Sequence, residues 1–66
     1  MQIKLNGDLR QCPGGSTLAS LLAELKLTPD KVAIELNRRL VRAVNYNTPL
    51  KEADEVEVVT FVGGGS

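Results

Sequence analysis

Histidine and tryptophan are absent from this chain, and cysteine occurs once, as Cys12. A single cysteine cannot close an intramolecular disulfide, and without imidazole the thiolate, imidazole and mixed zinc sites fall away, as do Cys-His and Ser-His catalysis. Net charge is missing too: eight Lys and Arg balance eight Asp and Glu. No overall field therefore draws the chain to nucleic acid or to an anionic membrane, and partners are expected to be neutral or to meet local patches. No apolar run approaches membrane-spanning length, and the N-terminus lacks the apolar core of a signal peptide, so a cytoplasmic location is expected. No internal repeat is visible. At 66 residues the chain makes one small domain, which buries only about 60% of its unfolded surface. It is too small for a large enzyme and is expected to be a monomer on its own.

What the chain does have is concentrated at its end. Val56, Val58, Val59, Phe61 and Val62 are β-branched or aromatic, with only Glu57 and Thr60 between them. This pattern predicts a strand buried on much of both faces, hence central in its sheet. Gly63, Gly64 and Gly65 follow directly. They carry no side chains to pack and lose the most backbone entropy on ordering, so residues 1–62 are expected to form the domain and 63–66 a flexible arm. Fully extended, that arm reaches roughly 14 Å, and only glycine would pass a narrow cleft on another protein without clash. On composition alone, a disordered glycine tail without function is the alternative.

From the start, apolar Met1, Ile3 and Leu5 alternate with polar Gln2 and Lys4, the period of a half-buried strand. Asn6-Gly7 predicts a type I′ hairpin turn, and Asp8 to Cys12 the returning strand. Cys12, beside Pro13, reads as a small buried hydrophobe. Ser16 and Thr17 supply hydroxyls to cap a helix of nine or ten residues, whose stripe is Leu18, Leu21, Leu22 and Leu25 at i, i+3, i+4, i+7. The stripe is too short for a coiled coil, and Lys26 near the helix end complements the dipole. Gly14-Gly15 lacks the spacing and the Lys-Ser/Thr of a phosphate cradle. Thr28-Pro29-Asp30 ends the helical region. Val32 to Leu36 and Arg39 to Val41 then form a second hairpin across Asn37-Arg38. Arg38, Arg39 and Arg42 make a basic cluster, and Glu52, Asp54, Glu55 and Glu57 an acidic one; both read first as solvated faces, and either could orient a partner. Val44 to Ala53 is expected to be an irregular connection anchored by Tyr46 and Leu50, with room for a short helical turn.

Hairpin, helix, hairpin, connection and final strand are buried most simply as one sheet layer with one helix on one face. This is an α+β, ubiquitin-like β-grasp of about five strands, in which the first and last strands lie parallel at the centre. At this point the chain resembles the ThiS family, ubiquitin-like sulfur carriers of thiamin biosynthesis. The likeness covers the whole length and rests on MQIKLNG, STLASLL, VAIELNRRLV and the ending DEVEVVTFVGGG. The resemblance implies that the terminal glycine carboxylate is adenylated by ATP on a partner enzyme akin to ubiquitin-activating enzymes. It is then converted to a thiocarboxylate that gives its sulfur to thiazole synthase chemistry. The carrier would supply no catalytic side chain and bind no cofactor or metal itself. Family proteins usually end in Gly-Gly, which aligns with Gly64-Gly65, so Gly65 is the expected reacting residue once Ser66 is removed. Two smaller departures are Ser20, where the family often has the acid of a capping box, and Ala53, where glycine commonly precedes the aspartate.

Other β-grasp readings share these features: a carrier feeding molybdopterin, cysteine or a secondary metabolite, a protein-conjugating modifier, and a non-catalytic interaction module. In any of them a partner is expected on the sheet face away from the helix. Alternation leaves either Val56, Val58 and Thr60 or Glu57, Val59 and Phe61 on that face, and the second set is favoured because Glu57 should avoid the core. Glu57, Val59, Phe61 and the adjoining Gly63 are the expected docking residues.

Overall fold

The computed structural model describes residues 1–61; Val62 and the expected glycine arm lie outside the described residues. Five strands run β1 (Gln2–Leu5), β2 (Asp8–Gln11), β3 (Val32–Leu36), β4 (Arg39–Val41) and β5 (Glu55–Thr60). The helix α1 (Leu18–Glu24) follows β2, and short 3-10 turns lie at Pro29–Lys31 and Ala43–Asn45. The strands make one mixed sheet in the order β2-β1-β5-β3-β4. β1 is parallel to β5, and every other neighbouring pair is antiparallel. The last strand is thus central and parallel to the first, as its apolar content implies.

Both hairpins turn in two residues. Asn6 and Gly7 have φ of 50° and 89°, and Asn37 and Arg38 have φ of 52° and 71°. These positive values are the type I′ geometry, whose twist matches that of the strands, and they set the pairings Leu5 with Asp8 and Leu36 with Arg39. Each turn asparagine also reaches β5. The Asn6 side chain accepts from the Val58 N–H at 2.7 Å and donates to the Val58 carbonyl at 3.3 Å. Asn37 accepts from the Glu55 N–H at 2.9 Å and donates to the Asp54 carboxylate at 3.0 Å. The central strand is tied at its start and at its middle by side-chain amides acting as backbone.

The core is one cluster. Leu18, Leu21 and Leu22 from α1 meet Ile3, Val32, Ile34 and Val56 from the sheet, with Cys12, Tyr46 and Leu50 closing the ends. Each fully buried aliphatic side chain contributes about 1.5–3 kcal/mol. Cys12 is buried and paired through its backbone with Met1, so its structural reading holds. Tyr46 and Leu50 anchor the long connection, where the Tyr46 carbonyl accepts from Ala19 and the Leu50 N–H donates to Ser16. In the Pro29–Lys31 turn, hydrogen bonding from the Thr28 side chain and from its own backbone holds the Asp30 carboxyl below its ordinary value of 3.8.

Four expectations change. β2 stops at Gln11, one residue short of Cys12, although Cys12 still exchanges two backbone hydrogen bonds with Met1, the first residue, where the partner strand runs out. The helix proper is seven residues, with Thr17 and Leu25 as caps. Lys26 lies beyond its last turn at φ 60°, where its N–H reaches the Ala23 carbonyl and that of Leu27 reaches Leu22. That is a left-handed helix stop in a position usually held by glycine, so Lys26 ends the helix by its backbone rather than by its charge. The capping box is intact despite the missing acid. Thr17 accepts from the Ser20 N–H at 3.0 Å, and the Ser20 hydroxyl accepts from the Thr17 N–H at 2.9 Å. Finally, β5 is central but not buried on both faces, because the single helix covers only one side of the sheet.

Candidate functional site

The uncovered side of β5 is the candidate site. Alternation places Val56 and Val58 toward α1 and sends Glu57, Val59 and, just past the strand, Phe61 to the other side. Val59 is 59% and Phe61 56% exposed, although both are apolar and sit at or beside the middle strand. The expected docking residues Glu57, Val59 and Phe61 therefore do share one open face. Gly63 lies outside the described residues, as do Gly64, Gly65 and Ser66.

Register assembles the rest of the face. Glu35 of β3 stands directly opposite Glu57, and Leu40 of β4 opposite Glu35. Ala33 stands opposite Val59. On the other flank Lys4 of β1 lies between Glu55 of β5 and Leu9 of β2. Leu40 and Leu9 are 70% and 67% exposed, so each outer part of the face carries an apolar side chain. An open depression of about 320 Å³ lies among Lys4, Gly7, Glu35, Arg38, Glu55 and Glu57. A second, of about 270 Å³, adjoins Leu9 and Glu52. Shallow, charged hollows ringed by separate apolar side chains suit a protein surface better than an enclosed small molecule.

The acidic cluster expected near β5 divides by role. Asp54 accepts from the Lys51 N–H at 2.8 Å as well as from Asn37 and so closes a turn, while Glu52 accepts from the Gln2 N–H at 3.1 Å and ties that turn to β1. Glu55 lies 3.9 Å from the Arg38 guanidinium. Glu57, with Glu35, is left facing solvent. Of the basic cluster only Arg38 borders the face; Arg39 pairs with Leu36 on the helix side of β4, and Arg42 precedes the Ala43–Asn45 turn. Glu35, Leu40, Lys4 and Leu9 were not singled out from the sequence as part of a site. Each is placed by which strand neighbours which, and within its own segment it looks like any alternating residue.

Among the described residues no group of three or more His, Cys, Asp or Glu side chains is arranged to hold a metal, and no helix there is long and apolar enough to cross a membrane.

The likeness to known proteins covers both the face and the tail. The family model described as the ThiS family matches residues 3–65. The chain is 44% identical over 66 residues to a thiazole synthase of Magnetococcus marinus, a match that takes in 98% of this chain but 20% of that protein. The chain thus spans about a fifth of the length of that relative, and likewise of a thiazole synthase of Paramagnetospirillum magneticum. It is 34% identical to the sulfur carrier protein ThiS of Bacillus subtilis over 96% of this chain and 98% of that one. Among solved structures, the thiamine biosynthesis protein (ThiS) of Geobacter metallireducens superposes with a TM-score of 0.78 at 29% identity, covering 98% of this chain and all of the other. A five-stranded mixed sheet on one helix, a match through residue 65 and a full-length carrier relative place this chain in the ThiS family.

Proposed function

We propose that this chain carries sulfur for thiazole formation in thiamin biosynthesis, with Gly65 as the reacting residue. The carboxylate of Gly65 attacks the α-phosphorus of ATP on an adenylating enzyme, and pyrophosphate leaves. Hydrosulfide-level sulfur delivered by a partner then attacks the acyl carbon, the C–O bond to AMP breaks, and a thiocarboxylate remains, with no change of oxidation state, for transfer to thiazole synthase. The chain contributes the carboxylate and its delivery, while ATP and the catalytic side chains belong to the partner. The observation that carries this reading is that the family match extends through residue 65 and so takes in Gly63, Gly64 and Gly65. Fusion of a similar segment to thiazole synthase in two relatives supports that enzyme as the acceptor. The open face beside the final strand supports docking of the adenylating enzyme through Glu57, Val59 and Phe61.

Acyl adenylation needs a carboxylate in line with the α-phosphate, in a site from which water is excluded. A side chain on the last residue displaces that carboxylate, and misplacement of about 1 Å costs on the order of a hundredfold in rate. Whatever follows Gly65 must therefore leave before the reaction. A form ending at Gly65 is expected to exchange pyrophosphate with ATP on its adenylating enzyme and to gain the mass of one oxygen-to-sulfur replacement. The form ending at Ser66 should do neither efficiently. Mass spectrometry of both decides it: thiocarboxylate on intact Ser66 refutes the processing step, and failure of both forms refutes the carrier reading.

A further inference from the structure

We propose that the open face recognises its partner by taking a projecting arginine between Glu35 and Glu57, with Leu40, Val59 and Phe61 seating the apolar surface around it. The inference rests on the docking reading above and names the chemistry of the surface that docks. Glu35 and Glu57 are cross-strand partners on β3 and β5. Because Asn37 donates to Glu55 two residues away in the same ladder, their pair is of the hydrogen-bonded type, with Cα atoms about 5.5 Å apart. Like charges in that relation oppose sheet formation, yet the described residues supply no ion pair to either. Neighbouring Glu55 has both Arg38 nearby and Lys4 across the strand. Lys4 and Arg38 border the same depression, but both lie beside Glu55, so Glu35 and Glu57 remain two carboxylates in one row without a direct ion pair among the described residues. Flanked by exposed leucine, valine and phenylalanine, they are complementary to a planar cation with several donors, and a guanidinium can bond both at once. A second copy of this chain does not fit, since a two-fold contact through this face sets the same carboxylates against each other.

The test compares wild type, Glu35→Gln, Glu57→Gln and the double variant, all ending at Gly65, for affinity to the chain's adenylating enzyme by calorimetry at low and raised salt. Each single change should weaken binding roughly five- to tenfold. The double change should cost less than the product of the two, because one guanidinium serves both carboxylates, and its affinity should depend less on salt than that of wild type. The free variants should melt at or above the wild-type temperature. Unchanged affinity, strictly multiplicative losses, or a wild-type dimer held through this face would overturn the proposal. If affinities are equal but all four forms acquire thiocarboxylate at saturating enzyme, the arginine site is wrong and the carrier reading stands. If affinities differ as expected and none acquires it, the reverse holds, and a wild-type chain that does not bind at all overturns both.

Discussion

Ala53 holds φ at 71°, a conformation that costs an L-residue about 1 kcal/mol or more and glycine almost nothing. The position is enforced from outside. The Ala53 N–H donates to the Gln2 carbonyl at 2.7 Å, and the Asp54 N–H closes the turn on Lys51. This is the physical reason glycine is favoured before that aspartate, and the methyl group of Ala53 is exposed and has little packing to lose. Ala53→Gly should therefore stabilise the fold by about 0.5–1 kcal/mol after the added entropy of the unfolded chain, raising the melting temperature by roughly 3–6 °C. Calorimetry of the two forms checks it, and a lower melting temperature would mean that the turn is not strained. Lys26 and Arg38 occupy the same left-handed region, so the chain holds helix stop, hairpin and turn in place with tertiary contacts rather than with local preference.

Among the elements, β5 depends most on its neighbours. β1 pairs with it through only Lys4 and Leu5, and the Asn6 side chain extends that short parallel ladder by two hydrogen bonds to Val58. Asn6→Gly keeps the positive φ and removes both bonds, which separates the turn preference from the pinning. The expected cost is about 1–2 kcal/mol, read by urea denaturation with an unchanged slope. A loss below a few tenths would show that water replaces the amide without penalty. The helix is stabilised differently. Its N-terminus is closed by a pair of hydroxyls from Thr17 and Ser20, so replacing a carboxylate by serine at the third helical position loses charge near the dipole but not the reciprocal cap.

For the whole molecule, one strand carries both core packing and the proposed docking residues, on opposite faces. Val56 is fully buried against Ile3, Ile34 and the leucines of α1, whereas Val59, three residues on, is largely exposed. Val56→Ala removes two buried carbon groups at about 0.8 kcal/mol each, plus a cavity term. It should therefore lower stability by about 2 kcal/mol, with little effect on partner affinity below the melting temperature. Val59→Ala should leave the melting temperature within about 3 °C of wild type, since surface changes are usually within about 0.5 kcal/mol, while weakening binding to the adenylating enzyme. Paired thermal denaturation and binding measurements test this division, and equal affinity for wild type and Val59→Ala would place the docking surface elsewhere.

Local geometry and the order of elements were legible in the residues themselves. Asn6-Gly7 and Asn37-Arg38 each turn a hairpin in two residues, the leucine period makes one helix with one buried stripe, and the valines of β5 require a central strand. Those features depend on neighbours along the chain, where side-chain period and turn preference act directly. Long-range pairing set the rest. It left one face of a very apolar strand open, because a single helix covers a single side, and it set Glu35 between Glu57 and Leu40 from separate strands. It also let a serine complete the helix cap and held Lys26 and Ala53 in conformations their residue types do not prefer. Register and crossover are collective properties of the sheet, and no single segment carries enough energy to specify them alone.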